Sequence, residues 1–309
     1  MHGMKKYIVK SITFVILPLI TLLGSGEYLL RGIPGDYSYK NDYLSEHADT
    51  IEILSLGSSH GYYGIDPSGF ARPAFNAGHV SQTFRYDYGI LEKYADRLTS
   101  LKYVILPVSY FSYWEELEGS KESFRVARYY GAYDLAGISL PDRIETLNMR
   151  PLHCLKRLKS YYIHHRNEIQ VDTLGFGNRY GIGQRDPEWQ TLCAQVAGRH
   201  TAGDLASHKK ANEFYLRKLL KLCNERGVSV ILVHLPMYEG YRNLLDKKQL
   251  IEMKGITCGI SQEFPDVQVL DLFTDSRFGE EDFFDPDHLN TDGARKLTRI
   301  LQDHLSEPQ

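Results

Sequence analysis

The chain has 309 residues, of which 42% are hydrophobic and 24% charged, ordinary values for a globular protein and enough to bury a sizeable core. A formal net charge of -3 without any basic stripe argues against a nucleic-acid partner. Cys154, Cys193, Cys223 and Cys258 have neither CxxC spacing nor a nearby His pair, so no metal site is expected, and their even number permits disulfides without choosing a pairing.

The first 30 residues differ in kind from the rest. Lys5, Lys6 and Lys10 precede the uncharged stretch 11–26, SITFVILPLITLLGSG. With residues 7–9 counted, it approaches the ~20 apolar residues that cross a bilayer. Positive charge before it places the N-terminus in the cytoplasm, and the chain after Glu27 outside, in a periplasm or at a cell surface. The expectation is a membrane anchor over residues 1–30, helical and separate from the core. Small residues Gly24 and Gly26 leave a cleaved signal peptide open as the alternative. Residues 31–50 read as a linker.

From Ile51 short apolar runs alternate with helical periodicity, the pattern of a parallel sheet with crossover helices. Strands are predicted at 51–56, 74–77, 103–107, 228–234 and 267–272. Helices are predicted at 81–98, 206–226, 241–262 and 291–305. Asn290 is a suitable N-cap for the last helix, and Gly227 a suitable stop after the helix over 206–226. Five strands in this rhythm predict a three-layer, flavodoxin-like α/β domain over 51–306, with its site at the carboxyl ends of the strands. Residues 111–205, with scattered aromatics and the Gly-rich LGFGNRYGIG, are too long for a plain loop and read as an insertion after the third strand. Its Tyr129, Tyr130, Tyr133 and Tyr180 are expected to border the site and stack on a sugar.

Two short stretches carry chemistry. In LSLGSSH, residues 54–60, an apolar strand runs into Gly57, Ser58 and Ser59, so a hydroxyl projects from a strand-to-helix turn beside backbone N–H groups able to hold an oxyanion. At the far end, residues 285–290 read DPDHLN. A serine nucleophile needs a general base, and a histidine needs an acceptor on its other ring nitrogen. Asp285, three residues before His288, can reach the imidazole within one turn; Asp287, adjacent in sequence, should point away and is the second choice. Ser59, His288 and Asp285 therefore form the candidate catalytic set.

These residues resemble the SGNH/GDSL hydrolase superfamily at both ends of the soluble chain, but not over 111–205. The first family block matches Gly57-Ser58-Ser59, with Ser58 in place of its Asp. The second resembles residues 75–78, FNAG, which implies Gly78 as an oxyanion donor beside the Ser59 amide. The Asp-x-x-His block matches Asp285 and His288. The third block's Asn has no counterpart, and Ser109 in LPVSYFS is the nearest position. A membrane-anchored subset with similar first blocks includes factors that move acyl groups on cell-envelope polymers, such as alginate and teichoic acid. The resemblance implies a serine esterase or O-acyltransferase for acylated glycans or other small esters, needing no cofactor. A carbohydrate-binding or scaffold protein that keeps the fold without efficient chemistry is the rival. His60 is expected near the cleft, as a second-layer or substrate contact; His234, at the end of the fourth strand, has a cleft contact open to it, but packing on its neighbours is the favoured reading; Asn76 is expected as a partner of the 57–59 turn.

Overall fold

In the computed structural model, residues 10–202 and 206–306 are described. The strands in chain order are β1 (Ile53–Ser55), β2 (Ala74–Asn76), β3 (Tyr103–Pro107), β4 (Ser229–His234) and β5 (Val267–Asp271). The principal helices are α1 (Ile12–Arg31), α2 (Asp36–His47), α3 (Ser59–Gly64), α4 (Phe84–Tyr94), α5 (Phe124–Tyr133) and α6 (Glu145–Asn148). They continue with α7 (Pro151–Leu158), α8 (Cys193–His200), α9 (Ala206–Glu225), α10 (Lys247–Ser261) and α11 (Thr291–Ser306). The chain divides into two compact units, one of Met1–Ser38 with Glu118–Ile169, the other of Tyr39–Leu117 with Gln170–Gln309.

The second unit holds the sheet. Its order is β2-β1-β3-β4-β5 and every pair is parallel, the flavodoxin-like arrangement expected from the sequence. Ile53 lies level with Ala74 on one side and Tyr103 on the other, so β1 is an interior strand and its carboxyl end opens at the reversal of strand order. β1 and β2 are buried throughout, as strands covered on both faces must be, whereas edge strand β5 is only partly covered. The right-handed crossover rule, applied to this strand order, assigns α3 and α11 to one face and α4, α9 and α10 to the other. Accordingly α11 packs on α3, and α9 on α4.

Residue spacing explains these helices. Leu297 and Leu301 recur at i, i+4 on α11 and are wholly buried with Ile53, Ile105, Ile231 and Val233. Each such leucine contributes about 1.5–3 kcal/mol on burial. On α9, Leu216, Leu219, Leu220 and Cys223 form the inward stripe. Asn290 Oδ1 accepts the Asp292 and Gly293 amides at 3.0 and 2.9 Å, closing the first turn of α11. Gly227, at φ 65°, follows α9 in the left-handed conformation.

The first unit is helical. α1 begins with a π-helical stretch, Ile12–Ile16, and is 20 residues long, with its most apolar window wholly unburied; residues 7–9 lie outside the described residues. Its length and composition suit a membrane span or a signal sequence. Leu30 at its end packs with Ile33, Met149 and Cys154. Arg157 joins Glu145 to Glu168, holding α6 and α7 to the end of this unit.

Two expectations about organisation need revision. Residues 31–50 carry α2, with Lys40 and Leu44 fully buried, because Leu44 and the aliphatic stem of Lys40 supply an inward face that composition alone conceals. The stretch 111–205 divides between the units, with 118–169 in the helical one and, among the described residues, 111–117 and 170–202 in the sheet unit. All four cysteines are free thiols.

Candidate active site

The site is built from the carboxyl ends of β1 and β3 and the loop before α11. After β1 the backbone turns at Gly57, where φ is 102° and an added Cβ would meet Pro107 Cδ at 3.1 Å; only glycine fits comfortably. The Gly57 amide donates to Asp87 Oδ1 at 2.7 Å. Ser58 is the N-cap of α3, its hydroxyl accepting the His60 amide at 3.4 Å, which leaves Ser59 as the first helical residue. Its amide is therefore among those without an intrahelical acceptor.

The loop carrying His288 is held by its own backbone. The Phe284 amide donates to the His288 carbonyl at 2.9 Å, and Phe283 bridges Leu289 in antiparallel fashion. His288 Nε2 lies 2.8 Å from Ser59 Oγ. Its Nδ1 lies 2.9 and 3.0 Å from the two oxygens of Asp285, and the same carboxylate accepts the His288 amide at 2.9 Å. In its neutral form, a histidine whose Nδ1–H is held by a carboxylate presents its Nε2 lone pair to the serine. Ser59 and His288 remain partly accessible, as chemistry requires.

Behind this line is a second, buried set that the sequence did not announce. Asp287 Oδ2 lies 3.3 Å from His60 Nε2 and 3.7 Å from His200 Nε2, while its Oδ1 lies 3.5 Å from His288 Nδ1. His60 Nδ1 in turn meets Ser109 Oγ at 2.7 Å, and His200 Nδ1 meets the Tyr241 hydroxyl at 2.8 Å. Ser59–His288–Asp285 is thus backed by Ser109–His60–Asp287. The His60 and His288 rings stand edge to face, 5.0 Å apart.

Electrostatics distinguish the three histidines. Burial disfavours the charged form of His288, but Asp287 and Asp285 outweigh it and raise its pKa to about 10. Burial dominates at His60, whose pKa is lowered despite Asp287, and at His200, lowered to about 3. Asp287 is held well below the usual carboxylate range, its burial overcome by His288 and His60. A buried anion requires donors, so neutral His60 turns Nε2–H toward Asp287 and accepts the Ser109 hydroxyl at Nδ1. His60, Asp287 and His288 offer ligand atoms within 4.8 Å of one another and are the described residues best placed for a metal. Asp285 already occupies His288 Nδ1, and the Arg199 guanidinium lies 3.9 Å from Asp287, so the cluster's charge is met without one.

The remaining sequence candidates fall in different places. Gly78 packs against the turn, 2.8 Å from an added Cβ to the Gly57 carbonyl, yet its amide donates to Asn76 Oδ1 at 2.9 Å instead of standing free. Asn76 does not bond the 57–59 turn: its Nδ2 holds the Gly61 and Ile65 carbonyls, both at 2.9 Å, since a fully buried amide must satisfy every group it carries. Ser109 turns its hydroxyl to His60 rather than standing free. His234 is 2% exposed at the end of β4, its Nδ1 3.5 Å from Asp271, so substrate cannot reach it.

Of the four tyrosines expected there, Tyr180 belongs to the sheet unit and lies at the site. It stacks on Tyr63 at 3.7 Å and on Phe284 at 4.0 Å, its ring 5.5 Å from His288. Both its faces are covered, so it forms a wall and not a sugar platform. Tyr129 and Tyr133 are fully buried within the helical unit, where Tyr37 packs edge-on against Tyr129. Tyr130 lies in the same unit, its ring under the Arg143 guanidinium at 4.6 Å.

Two groups missed by the sequence reading sit under the turn. Asp87 is fully buried, its pKa pushed up to about 7 by burial against the hydrogen bonds of Gln82 and Gly57. Its Oδ2 has no hydrogen-bond partner among the described residues and borders a void of about 10 Å³, room for a single water. Lys40 of α2, also fully buried, donates to the Gly78 carbonyl and lies 4.5 Å from the Tyr62 ring centroid. Their only sequence signal was a charge on an otherwise apolar helical face.

No family profile and no curated protein matches the chain. Among solved structures it is similar to a candidate platelet activating factor from Streptococcus pneumonia, with a TM-score of 0.43 and 11% identity, over 95% of this chain and 99% of that one. It is also similar to a candidate acylhydrolase from Bacteroides fragilis, with a TM-score of 0.40 and 11% identity, over 85% of this chain and 93% of that one.

Proposed function

We propose that the protein is a serine-dependent ester hydrolase or O-acyltransferase acting on acylated cell-envelope glycans. The observation that carries the reading is the hydrogen-bonded line from Ser59 Oγ through His288 to Asp285, at 2.8 and 2.9 Å, at the carboxyl end of β1. In it, Ser59 Oγ attacks an ester carbonyl and gives its proton to His288 Nε2. The imidazolium is stabilised by Asp285 and by Asp287 behind it. The Ser59 amide at the start of α3 stabilises the oxyanion; the Gly78 amide joins it only by leaving Asn76. Collapse expels the alkoxide, which takes the proton from His288, and leaves an acyl-serine. Water or a sugar hydroxyl, deprotonated by His288, then attacks the acyl carbon and releases Ser59.

The glycan assignment rests on the envelope location suggested by α1 and on the family resemblance. The aromatic wall of Tyr63, Tyr180 and Phe284 supplies one side of a substrate site beside His288.

A phosphonate ester probe tests the nucleophile. Labelling is expected at Ser59, absent in Ser59→Ala and reduced about 100-fold or more in His288→Ala. Equal labelling of wild type and His288→Ala would leave Ser59 an ordinary hydroxyl and favour a non-catalytic binding protein. Hydrolysis and transfer are separated by supplying an activated acetyl ester with oligosaccharide acceptors and measuring acetylated sugar against free acetate.

A further inference from the structure

α7 and its π-helical continuation, Lys159–Ile163, have two unlike faces. Cys154, Leu158 and Tyr161 turn inward and pack with Leu30 and Ile33 at the end of α1. The other face is bare: Leu152, Leu155 and Ile163 are 63%, 63% and 65% exposed. Their positions, with Lys156 and Lys159 among them, follow the helical period, so one stripe carries both apolar and cationic side chains to the surface. Leu147 on α6, 58% exposed, extends the apolar surface.

This face is pinned to the last turns of α1. The Tyr162 hydroxyl donates to the Leu29 carbonyl at 2.9 Å, satisfying one of the carbonyls that a helix end leaves open. The Glu27 carboxylate accepts the Glu145 and Thr146 amides at 3.1 and 2.9 Å, tying α6 to the same level. Glu27 and Arg31 are also the first charges after the apolar stretch, so this is the level at which a span emerges from hydrocarbon.

We propose that α6 and α7 lie in the headgroup region of the leaflet from which α1 emerges, with Leu147, Leu152, Leu155 and Ile163 immersed and Lys156 and Lys159 on anionic phospholipid. A basic amphipathic stripe joined to a span is the chemistry of a helix at the lipid–water boundary. The proposal rests on reading α1 as a membrane span, and extends it from a tether to a seated platform.

The test uses the full chain in vesicles of phosphatidylcholine and phosphatidylglycerol, with Cys258→Ser removing the exposed native thiol. An environment-sensitive fluorophore is attached at Leu152→Cys or Ile163→Cys, with Leu22→Cys on α1 and Ile251→Cys on α10 as references. A nitroxide lipid reports contact. Labels at 22, 152 and 163 should be quenched about twofold or more beyond that at 251, with blue-shifted emission. Quenching at 152 and 163, but not at 22, should weaken when phosphatidylglycerol is omitted. Quenching at 22 with 152 and 163 matching 251 would overturn the seated platform while leaving the span intact. Shielding of 152 and 163 from aqueous iodide without lipid quenching would also overturn it, in favour of a protein partner or second copy. An unquenched label at 22 would instead overturn the span on which the platform rests.

Discussion

Replacing Asp287 with asparagine should lower the pKa of His288 and speed acylation near neutral pH. His288 is raised from 6.5 to about 10 with Asp285 and Asp287 both beside Nδ1. Asp287 Oδ1 lies 3.5 Å from that nitrogen. A unit charge at such a distance, with an effective dielectric constant of about 20–40, is worth ~2–5 kcal/mol, or about 2–4 pK units. The amide of Asp287→Asn keeps an oxygen for His60 but loses the charge, so His288 should titrate near pH ~6–8 in this variant. Its neutral, base-competent fraction at pH 7 would rise from roughly 0.1% to about 10% or more. The direct assay is the pH titration of the His288 ring nitrogens by NMR, which needs no substrate. The pH profile of Ser59 phosphonylation is the functional counterpart, with its rising limb moved to lower pH. An unmoved titration and an unmoved limb would refute the claim that Asp287 acts on His288, leaving it only a partner of His60 and His200.

Other variants probe the frame around the site. Ser109→Ala should reduce stability by about 1–2 kcal/mol through the lost bond to His60, yet change Ser59 labelling by no more than ~3-fold, whereas loss of an oxyanion donor would cost about 100-fold or more. Gly61→Ala drives a Cβ into the Leu56 carbonyl, a backbone clash expected to cost ~3 kcal/mol and about 6–12 °C in Tm by calorimetry. Asp87, raised from 3.8 to about 7 in the folded chain, contributes most stability below pH 4 and loses that contribution as pH rises toward 7. Asp87→Asn should flatten the pH dependence of urea unfolding between about pH 4 and 8, removing up to ~4 kcal/mol of it; an unchanged slope would show that Asp87 stays ionised throughout. His200, depressed to about 3, acts in the opposite sense, so stability that depends on its neutral form should fall as pH drops below about 6.5, and His200→Phe should blunt that fall.

The sheet was legible because the strands inside it, covered on both faces, write short apolar runs, and each run is followed by helical spacing. β3 coincides with its predicted bounds, and β4 and β5 differ from theirs by a residue at one end. The spacing of Asp285 and His288 was legible because three residues make one local turn. The rule that adjacent side chains diverge turns Asp287 away from His288. It does diverge along the chain, but the loop curls so that its carboxylate reaches the back of the ring and two further histidines. No local pattern encodes that curl. His200, Tyr241 and Ser109 meet there from three distant segments, and only the folded chain puts them together. The tyrosines misled for a similar reason, since aromatic content says nothing of which ring faces are already covered.

The buried ammonium of Lys40 has a practical consequence for anyone wishing to free the sheet unit from its tether. A truncation at residue 50, the boundary suggested by composition, would remove a cation that fastens the carbonyl of Gly78 and would bare the cavity left by Leu44. The exposed carbonyl would be rehydrated, and the loop it steadies adjoins the turn that carries Ser59. Such a product should be slack at its centre. A cut between Arg31 and Asp36 keeps α2 whole, so the amino-terminal edge of a working fragment lies upstream of its first strand by the length of a helix.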